Sequence, residues 1–420
     1  MKLRLDYGTE GLDTDFPDED TEVVEPVHVP AAEDAPAELR RVLRAPAGTR
    51  PLKDLVRPGQ RVGVSVCDIT RPQPRQAMLE SLLAEMPGLA PGDVTVFIAT
   101  GTHRANTPGE IETMLGAELA RACRVVCHDS REEGSLRHMG RTKTGVPILL
   151  NREWTEMDFR ITTGFVEPHF FAGFSGGPKM VAPGLAGLDT VMHLHNAERI
   201  AHPKATFGVV EGNPVHDDVR EISRLTGVDF ALDVTLNRNR QITEAFAGDL
   251  FAEHEAACRV ARRNAMQAVG EAFDVVVTTN SGYPLDQNLY QAVKGMSAAA
   301  RIVRPGGTIV AAAECRDGIP NHGAYAAILR SRSSPRELLD MIMSDGYSMP
   351  DQWQVQIQAQ IQLKARVLLR AGCLTDDVIR AAHLEPIGDV GEAVARIMRN
   401  GAGKRLCVLP QGPQTIPYLV

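Results

Sequence analysis

Apolar runs alternate with amphipathic segments from about residue 60 onward. Four of the runs have the length and composition of buried strands: 60–68, 93–100, 124–129 and 159–166. Two segments between them, 74–86 and 109–122, have the apolar spacing of helices. This alternation is typical of βα units in a mostly parallel, doubly wound sheet, so the pattern predicts a Rossmann-like α/β domain.

A second α/β pattern begins at 273–280 and continues through a helical segment into the apolar run 306–314. A chain of 420 residues exceeds one ordinary core. We therefore predict two Rossmann-like α/β domains with an active-site cleft between them. The N-terminal, cofactor-binding domain is expected over 1–270, completed by about 392–420, and the C-terminal domain over 273–390.

Two other segments have helical patterns. The segment 244–272 is helix-rich and is expected to bridge the two domains, whereas 351–372 has the pattern of one long amphipathic helix. Between residues 5 and 39 there are twelve Asp or Glu and no Lys or Arg. Short alternating stretches within this acidic segment predict an ordered edge element with acidic loops.

Composition and charge narrow the function classes. The net charge of −8 argues against nucleic-acid binding, and no apolar stretch reaches the length of a membrane span. The N-terminus has no signal-peptide core, so a cytoplasmic location is expected. The seven cysteines are scattered and odd in number, which indicates reduced thiols. Cys123 and Cys127 precede His128, but no second pair completes a zinc site.

Polar residues follow the first predicted strand directly. Asp68, Thr70 and Arg71 lie there, and a guanidinium fork suits a carboxylate or a phosphate. Asp68 could orient Arg71 or accept hydrogen bonds from a ribose. The alternative is an Asx turn that caps the next helix, with Pro72 at its start.

The second predicted strand ends in a similar way. Small and hydroxyl residues that can hold a phosphate follow it, together with two basic side chains: Thr100, Gly101, Thr102, His103 and Arg104. No strand is followed by the GxGxxG fingerprint, so ordinary NAD binding is poorly supported. Because the ends of parallel strands share one rim, these residues and the loop after residue 166 are expected to face the same side.

That loop, 167–187, is rich in glycine and carries His169, Ser175, Gly176 and Lys179. The alternative interpretation is a long surface loop with a solvated Lys179. Two histidines converging on one rim, His103 and His169, are what proton abstraction on both faces of a planar intermediate requires.

Two later segments hold further candidates. His193 and His195 are two apart on a helical pattern, so they point roughly 200° apart, and by spacing alone either could be a metal ligand. Tyr290, Gln291 and Lys294 open a helix in the second domain, with a solvated helix start as the alternative. Trp353 is expected to be a packing residue.

Five motifs, in order and spacing, resemble the nickel-dependent lactate racemase family. They are DITRP (68–72), TGTHR (100–104), EPHFFAGFSGGPK (167–179), MHLHNA (192–197) and LYQAVK (289–294). The resemblance implies a racemase or epimerase of a 2-hydroxy acid that works by proton-coupled hydride transfer. The implied cofactor is the nickel pincer nucleotide, a pyridinium-3-thioamide-5-thiocarboxylic acid mononucleotide that holds nickel, and enzymes that make it are implied partners.

Residue roles follow from the same resemblance. Lys179 matches the covalent attachment point and His195 the nickel ligand, while His103 and His169 match the paired acid/base histidines. The residues that match the substrate-binding set are Arg71 and Lys294, with Tyr290 and Gln291 nearby. The strand-end and loop residues expected to contact the cofactor are Asp68, Thr70, Thr100, Gly101, Thr102, Ser175 and Gly176.

Substrate identity is the least determined property. Phe170, Phe171 and Phe174 favour a pocket more apolar than lactate requires, which leaves larger 2-hydroxy acids open. A cofactor-less protein that senses a 2-hydroxy acid is one alternative. A zinc-dependent hydrolase or lyase that uses His103, His169 and His195 is a weaker one.

Overall fold

The structure, a computed structural model, describes residues 1–19, 21–320, 323–399 and 404–420. The chain divides into two compact units. The larger unit comprises His28–His195 and His202–Asn264. The smaller unit comprises Met1–Val27, Asn196–Ala201 and Ala265–Val420.

The strands follow one another along both units. In chain order they are β1 (Lys2–Leu5), β2 (Leu12–Asp15), β3 (Thr21–Val23), β4 (Val62–Cys67), β5 (Val94–Ala99), β6 (Arg124–Cys127), β7 (Leu136–Arg141), β8 (Pro147–Asn151), β9 (Phe159–Phe165), β10 (Pro168–His169), β11 (Gly173–Phe174), β12 (Phe230–Leu236), β13 (Ile242–Gly248), β14 (Met266–Val269), β15 (Phe273–Thr279), β16 (Val303–Ala312), β17 (Arg366–Arg370), β18 (Glu385–Pro386), β19 (Leu406–Leu409) and β20 (Ile416–Leu419).

The helices lie between these strands. They are α1 (Ala35–Arg44), α2 (Arg75–Ala84), α3 (Pro108–Leu115), α4 (Ala117–Ala122), α5 (Arg152–Thr155), α6 (Leu188–Leu194), α7 (Ala197–Ala201), α8 (Pro214–Thr226), α9 (Leu250–Ala265), α10 (Leu289–Ala300), α11 (Tyr325–Arg330), α12 (Pro335–Ile342), α13 (Gln352–Lys364), α14 (Asp376–Ala381) and α15 (Val390–Arg399). A short 3₁₀ helix, Gly177–Met180, lies in the glycine-rich loop.

The larger unit is built on a six-stranded sheet in the order β13-β12-β9-β4-β5-β6. All neighbours pair in parallel except β13, which is antiparallel to β12. Every residue of β4 is buried, as expected for a central strand covered on both faces. Three of the apolar runs predicted as buried strands form the centre of this sheet as β9, β4 and β5, and the α/β prediction is confirmed. The fourth run forms β6, which lies at the edge and has no fully buried residue.

The smaller unit contains a second six-stranded sheet, in the order β18-β17-β16-β15-β19-β3. Every pairing in it is parallel. Crossover helices pack on β15 and β16, and the first half of α13 is buried. Two α/β sheets in one chain confirm the predicted fold class.

The structure differs from the predicted domain division at both chain ends. The C-terminal segment does not return to the first sheet, because β19 pairs with β15 on one side and with β3 on the other. The acidic N-terminal segment supplies β3, which is the edge strand of this same sheet. All four residues of β19 are buried, so this apolar stretch fills an interior position of the smaller unit.

Three helix predictions also needed correction. The segment 244–272 contains the end of β13, then α9, then β14, rather than helix alone. The predicted long helix over 351–372 ends at Lys364 and is followed by β17, because a short apolar run fits a buried strand as well as a helix. The pattern after residue 187 is divided into α6 and α7, which belong to different units.

Within the described parts of the chain, no helix combines the length and apolarity needed to cross a membrane. The seven cysteines are free thiols.

Candidate active site

Asp68 and His103 meet at the carboxyl ends of β4 and β5. His103 Nδ1 lies 2.6 Å from Asp68 Oδ2, and the Thr70 hydroxyl donates to the other carboxylate oxygen at 2.7 Å. The Asp68 side chain is 4% exposed, whereas that of His103 is 38% exposed. Asp68 therefore fixes the imidazole from behind and leaves part of the ring accessible.

The charge of Asp68 is stabilised by its surroundings. Burial alone would raise the pKa of the Asp68 carboxyl, but hydrogen bonding and charge from His103, together with the Arg71 guanidinium, outweigh that effect. The net result is a pKa held well below its usual range. Asp68 is a carboxylate at neutral pH, and it is suited to stabilise a protonated His103.

The Asx-turn alternative for this loop is not what the structure contains. The next helix, α2, begins at Arg75 behind Pro74, and no side chain caps it. Asp68 binds His103 and Thr70 instead. Arg71 donates to the Thr70 hydroxyl at 3.0 Å. Arg71 thus projects from the same loop that supports His103.

Arg75 supports this loop, and the sequence analysis did not identify it. Its side chain is buried and donates to the carbonyls of Cys67 and Arg71, both at 2.7 Å, and to those of Asp68 and Gln73. Burial lowers the pKa of the guanidinium. Arg75 lies outside the five motifs, so the sequence carried no distinctive signal for this role.

The residues after β5 make two kinds of contact: hydrogen bonds to backbone carbonyls and an ion pair at the surface. The Thr100 hydroxyl donates to the His128 carbonyl, and the Gly101 N–H donates to the Gly184 carbonyl at 2.9 Å. Arg104 pairs with Glu110 at 2.5 Å. The Gly101 hydrogen bond connects the end of β5 to the glycine-rich loop. The ion pair with Glu110 holds the Arg104 side chain at the start of α3.

The glycine-rich loop begins with a small hairpin in which β10 and β11 pair antiparallel. The Ala172 N–H donates to His169 Nδ1 at 3.2 Å. Because Nδ1 accepts this bond, the neutral imidazole of His169 carries its proton on Nε2. The backbone of the loop thereby sets the tautomer of His169.

Three of the candidate side chains, His169, Lys179 and His195, lie around the ring of Phe171. Its ring centroid lies 4.6 Å from that of His169 and 5.0 Å from that of His195. Lys179 Nζ lies 5.8 Å from the same centroid. The structure therefore brings together three residues that are widely spaced in sequence, and Lys179 is part of this cluster rather than of a plain surface loop.

The two closely spaced histidines have opposite surroundings. His195 is buried, and its Nδ1 donates to the Val191 carbonyl at 2.8 Å, so Nε2 bears the lone pair that a metal binds. Burial lowers the pKa of His195 to about 4, which keeps the ring neutral. His193 is exposed beside Asp189, 3.2 Å away. Only His195 faces the Phe171 cluster.

A second layer lies directly under the loop. The Gly177 N–H donates to Asp233 Oδ2 at 2.6 Å, and His254 Nε2 donates to the Ser175 carbonyl at 2.9 Å. The Ser175 hydroxyl donates to the Phe165 carbonyl at 2.9 Å. Asp233 and His254 were missed by the sequence analysis. For Asp233 a signal existed, since a lone carboxylate interrupts the otherwise apolar strand β12.

Phe174 belongs to this lower layer as well. Its side chain is fully buried in a cluster with Val166 and Ala257. Phe170 instead lies beside Phe171, with ring centroids 4.7 Å apart. Of the three phenylalanines expected to shape the pocket, only Phe170 and Phe171 therefore remain candidates.

The smaller unit places its candidates on the first turns of α10. The Asn288 side chain caps this helix by accepting from the Gln291 N–H at 3.0 Å. Trp353 Nε1 donates to the Tyr290 hydroxyl at 3.1 Å. Tyr290, Gln291 and Lys294 are half-buried, so they are not an ordinary solvated helix start. Trp353 is buried, as expected, and it also orients Tyr290.

The zinc alternative lacks a ligand set. In the described ranges, no three His, Cys, Asp or Glu side chains come together in a way that could hold a metal ion. His103, His169 and His195 therefore do not form the zinc site that a hydrolase or lyase would need.

Comparison with known proteins identifies relatives over nearly the whole chain. The family described as lactate racemase N-terminal domain matches residues 7–208, and the lactate racemase C-terminal domain matches 269–416. A lactate racemase of Thermoanaerobacterium thermosaccharolyticum is 34% identical over 387 residues, 90% of this chain and 89% of the relative. One from Lactiplantibacillus plantarum is 34% identical over 379 residues, 89% of each chain.

Solved structures agree with this. The lactate racemase apoprotein from Thermoanaerobacterium thermosaccharolyticum superposes with a TM-score of 0.93 at 32% identity, covering 99% of this chain and 100% of the other. A Thermotoga maritima protein superposes with a TM-score of 0.70 at 17% identity, covering 92% and 98%. The second similarity shows the fold alone.

Proposed function

The chain belongs to the lactate racemase family, and from that premise we propose that it interconverts the enantiomers of a 2-hydroxy acid, either lactate or a larger acid. Family membership makes the protein an isomerase. The observation that carries the proposal is the placement of two histidines at the carboxyl edge of one parallel sheet, His103 after β5 and His169 after β9.

The two histidines have complementary surroundings for proton transfer. His103 is backed by the Asp68 carboxylate at 2.6 Å, and this pairing favours the ring after it has taken up a proton. His169 is held by backbone donors and presents Nε2. We propose that each removes the hydroxyl proton of one enantiomer. Loss of that proton gives the 2-keto acid only if the Cα hydrogen also leaves as hydride, which needs an acceptor that no side chain provides. When hydride returns to the other face of the keto acid, the other histidine gives a proton back to the oxygen, and the acid is formed again with inverted configuration.

We propose that two cationic side chains and the residues beside them bind the substrate. Arg71 projects from the loop beside Asp68, and its guanidinium suits the substrate carboxylate. Lys294, with Tyr290 and Gln291 beside it on α10, is proposed to bind the carboxylate and hydroxyl oxygens. Trp353 supports this assignment because its indole donates to the Tyr290 hydroxyl and fixes that side chain.

The residues around Phe171 fit a covalently attached nickel pincer nucleotide. Lys179 is proposed as the attachment point and the neutral His195 as the nickel ligand through Nε2. When bound, this cofactor supplies the hydride acceptor that no side chain provides. Thr70, Gly101, Thr102 and Gly176 are proposed to contact it. Enzymes that synthesise the cofactor are the proposed partners.

The apolar side of the pocket is proposed to come from Phe170 and Phe171. The ring of Phe207 lies 6.4 Å from that of Phe170, centroid to centroid, and extends this aromatic surface. An aromatic wall favours an apolar substrate side chain over a second carboxylate. The only spare cation suggested by the motifs, Arg104, is paired with Glu110. We therefore propose lactate or a larger apolar 2-hydroxy acid rather than malate.

The test is an enantiomer-resolved assay of protein co-expressed with the cofactor-making enzymes. Single enantiomers of lactate, 2-hydroxybutyrate, phenyllactate, malate and gluconate are supplied, and the opposite configuration is measured by chiral chromatography. Inversion of a monocarboxylic acid supports the proposal. Activity confined to malate would refute the apolar pocket. Binding of an acid without turnover and without added protein mass would favour the sensor.

A further inference from the structure

A buried carboxylate lies under the glycine-rich loop and makes a direct contact with it. Asp233 is fully buried at the centre of β12, where it pairs in register with Gly164 of β9. Its Oδ2 accepts the Gly177 N–H at 2.6 Å. Gly177 begins the 3₁₀ helix that contains Lys179, and the Lys179 N–H in turn donates to the Gly176 carbonyl at 3.1 Å.

The glycines of the loop are fitted to this support rather than to open space. Gly176 and Gly177 both adopt positive φ, +69° and +48°. A Cβ on Gly176 would lie 2.6 Å from Asp233 Oδ2, and one on Gly177 would lie 2.5 Å from the His254 ring. These two glycines are therefore required by packing against the layer beneath, which is where the backbone makes its close approach.

From this geometry we infer that Asp233 is a positioning residue for Lys179. The inference rests on the proposed role of Lys179 as the cofactor attachment point. One carboxylate oxygen accepts the first N–H of the 3₁₀ helix and thereby fixes its start. The left-handed turn at Gly176 and Gly177 is possible only while no side chain lies between the turn and the layer beneath it. The turn sets the direction in which Lys179 leaves the backbone, toward Phe171.

His254 holds the preceding part of the same turn. Its Nε2 donates to the Ser175 carbonyl at 2.9 Å, so an acceptor from β12 and a donor from α9 bind the loop within three residues of each other. Burial raises the pKa of Asp233 to about 7, against the opposing effect of the Gly177 and Gly164 N–H groups. Burial lowers that of His254 to about 4. Burial thus disfavours the charged form of both side chains, and in these surroundings of low dielectric constant their hydrogen bonds to the loop are strong.

The experiment compares Asp233→Ala with Asp233→Asn and with a matched control. Asp286→Ala removes another fully buried carboxylate that accepts two backbone N–H groups, those of Gly8 at 2.7 Å and Glu314 at 2.9 Å, but it lies in the smaller unit. Two quantities are measured: amide hydrogen exchange of peptides covering 173–182 in the apoprotein, and the fraction of protein that gains covalent mass on co-expression with the cofactor-making enzymes.

Asp233→Ala is expected to accelerate exchange of the Gly177 amide at least tenfold and to reduce the adduct fraction at least tenfold. Asp233→Asn keeps an acceptor oxygen and is expected to restore most of both, while Asp286→Ala leaves both at the wild-type level. Wild-type exchange in Asp233→Ala, or faster exchange with an unchanged adduct, would overturn the inference.

Failure of the proposed function is recognised separately. If the wild-type protein gains no mass, the attachment at Lys179 is refuted, whereas the exchange data still decide whether Asp233 fixes the turn. If Asp233→Ala does not fold, Gly176→Ala disturbs the same contact from the loop side. Wild-type exchange and adduct formation in Gly176→Ala would then overturn the inference.

Discussion

Two regions of the larger unit's sheet each place a buried aspartate beneath a loop that carries candidate site residues, yet the electrostatic surroundings of the two aspartates are opposite. At the β4–β5 edge, Asp68 has a pKa below its usual range because His103 and Arg71 are adjacent. Beneath the loop that follows β9, burial raises the pKa of Asp233 to about 7. The first region holds a charged carboxylate beside a half-buried histidine, and the second holds, beneath Lys179, a carboxyl group that burial makes harder to ionise.

The difference separates two requirements of the proposed chemistry. Proton transfer and anion binding need groups that carry charge and reach solvent or substrate, as His103 and Arg71 do. Covalent attachment and metal ligation need fixed geometry and neutral ligands, which burial provides for His195. The β4–β5 region therefore holds the charged groups of the proposed site, whereas the region after β9 holds the groups that need a fixed position, beside its own acid/base candidate, His169.

The largest expected effect comes from the residue at the centre of the second region. Lys179→Ala is expected to abolish the covalent adduct and all racemisation, because no other side chain in that cluster is an amine. Intact mass measurement after co-expression with the cofactor-making enzymes checks this. Lys204→Ala is the control, since Lys204 lies in the same unit and donates to the Glu211 carbonyl. An adduct of wild-type amount on Lys179→Ala would refute the assignment.

The next effect tests one histidine from each region. His103→Gln and His169→Gln are each expected to slow racemisation roughly 10²- to 10⁴-fold in both directions, because both half-reactions are required. Rates from each pure enantiomer give the measurement. The exposed His193, replaced by Gln, is the control and should keep the wild-type rate. A near-normal rate in His103→Gln would make that histidine merely structural.

A smaller effect is expected when only the charge behind His103 is removed. Asp68→Asn should slow racemisation about 10- to 100-fold, since a hydrogen bond to a charged group is worth roughly 1.5–3 kcal/mol. Asp189→Asn is a matched control, because Asp189 and the exposed His193 form a similar pair, 3.2 Å apart. If the Asp68→Asn variant racemises its substrate at the wild-type rate, the carboxylate does not assist His103.

Sequence reasoning located the first region more completely than the second. Central parallel strands are buried on both faces, so β4, β5 and β9 were visible as apolar runs, and the residues after them had to share one rim. The Asp68–His103 contact follows from that adjacency. The contact of Asp233 with Gly177 depends on the register of β12 against β9, about which local pattern carries no information.

The errors in the fold have the same origin. The apolar residues of β17 continue the composition of α13, and only pairing with β16 makes them a strand. The position of β19 between β15 and β3 depends on pairing partners more than 100 residues away in sequence. Long-range pairing therefore decided each feature that the sequence pattern left undetermined.

The last expected effect concerns stability rather than activity and distinguishes the two aspartates without any turnover. Asp233 has a raised pKa in the folded protein, so its stability contribution is complete below pH about 4 and is lost as pH rises through about 7, by up to about 1.4 kcal/mol per pH unit. Asp68 has a lowered pKa, so its contribution is present above pH about 4 and is lost only as pH falls further.

Urea unfolding of the apoprotein from pH 4 to 8 measures how the free energy of unfolding changes with pH, and it therefore tests both predicted directions. The stability of Asp233→Asn relative to wild type should rise steadily across pH 4–7, because the substitution removes a group that resists ionisation in the folded state. The stability of Asp68→Asn relative to wild type should be lower above pH 5, with the difference shrinking as pH falls toward 4. If the stabilities of the two variants changed with pH in parallel, both carboxyls would lie in equivalent electrostatic surroundings. The difference argued between Asp68 and Asp233 would then be wrong.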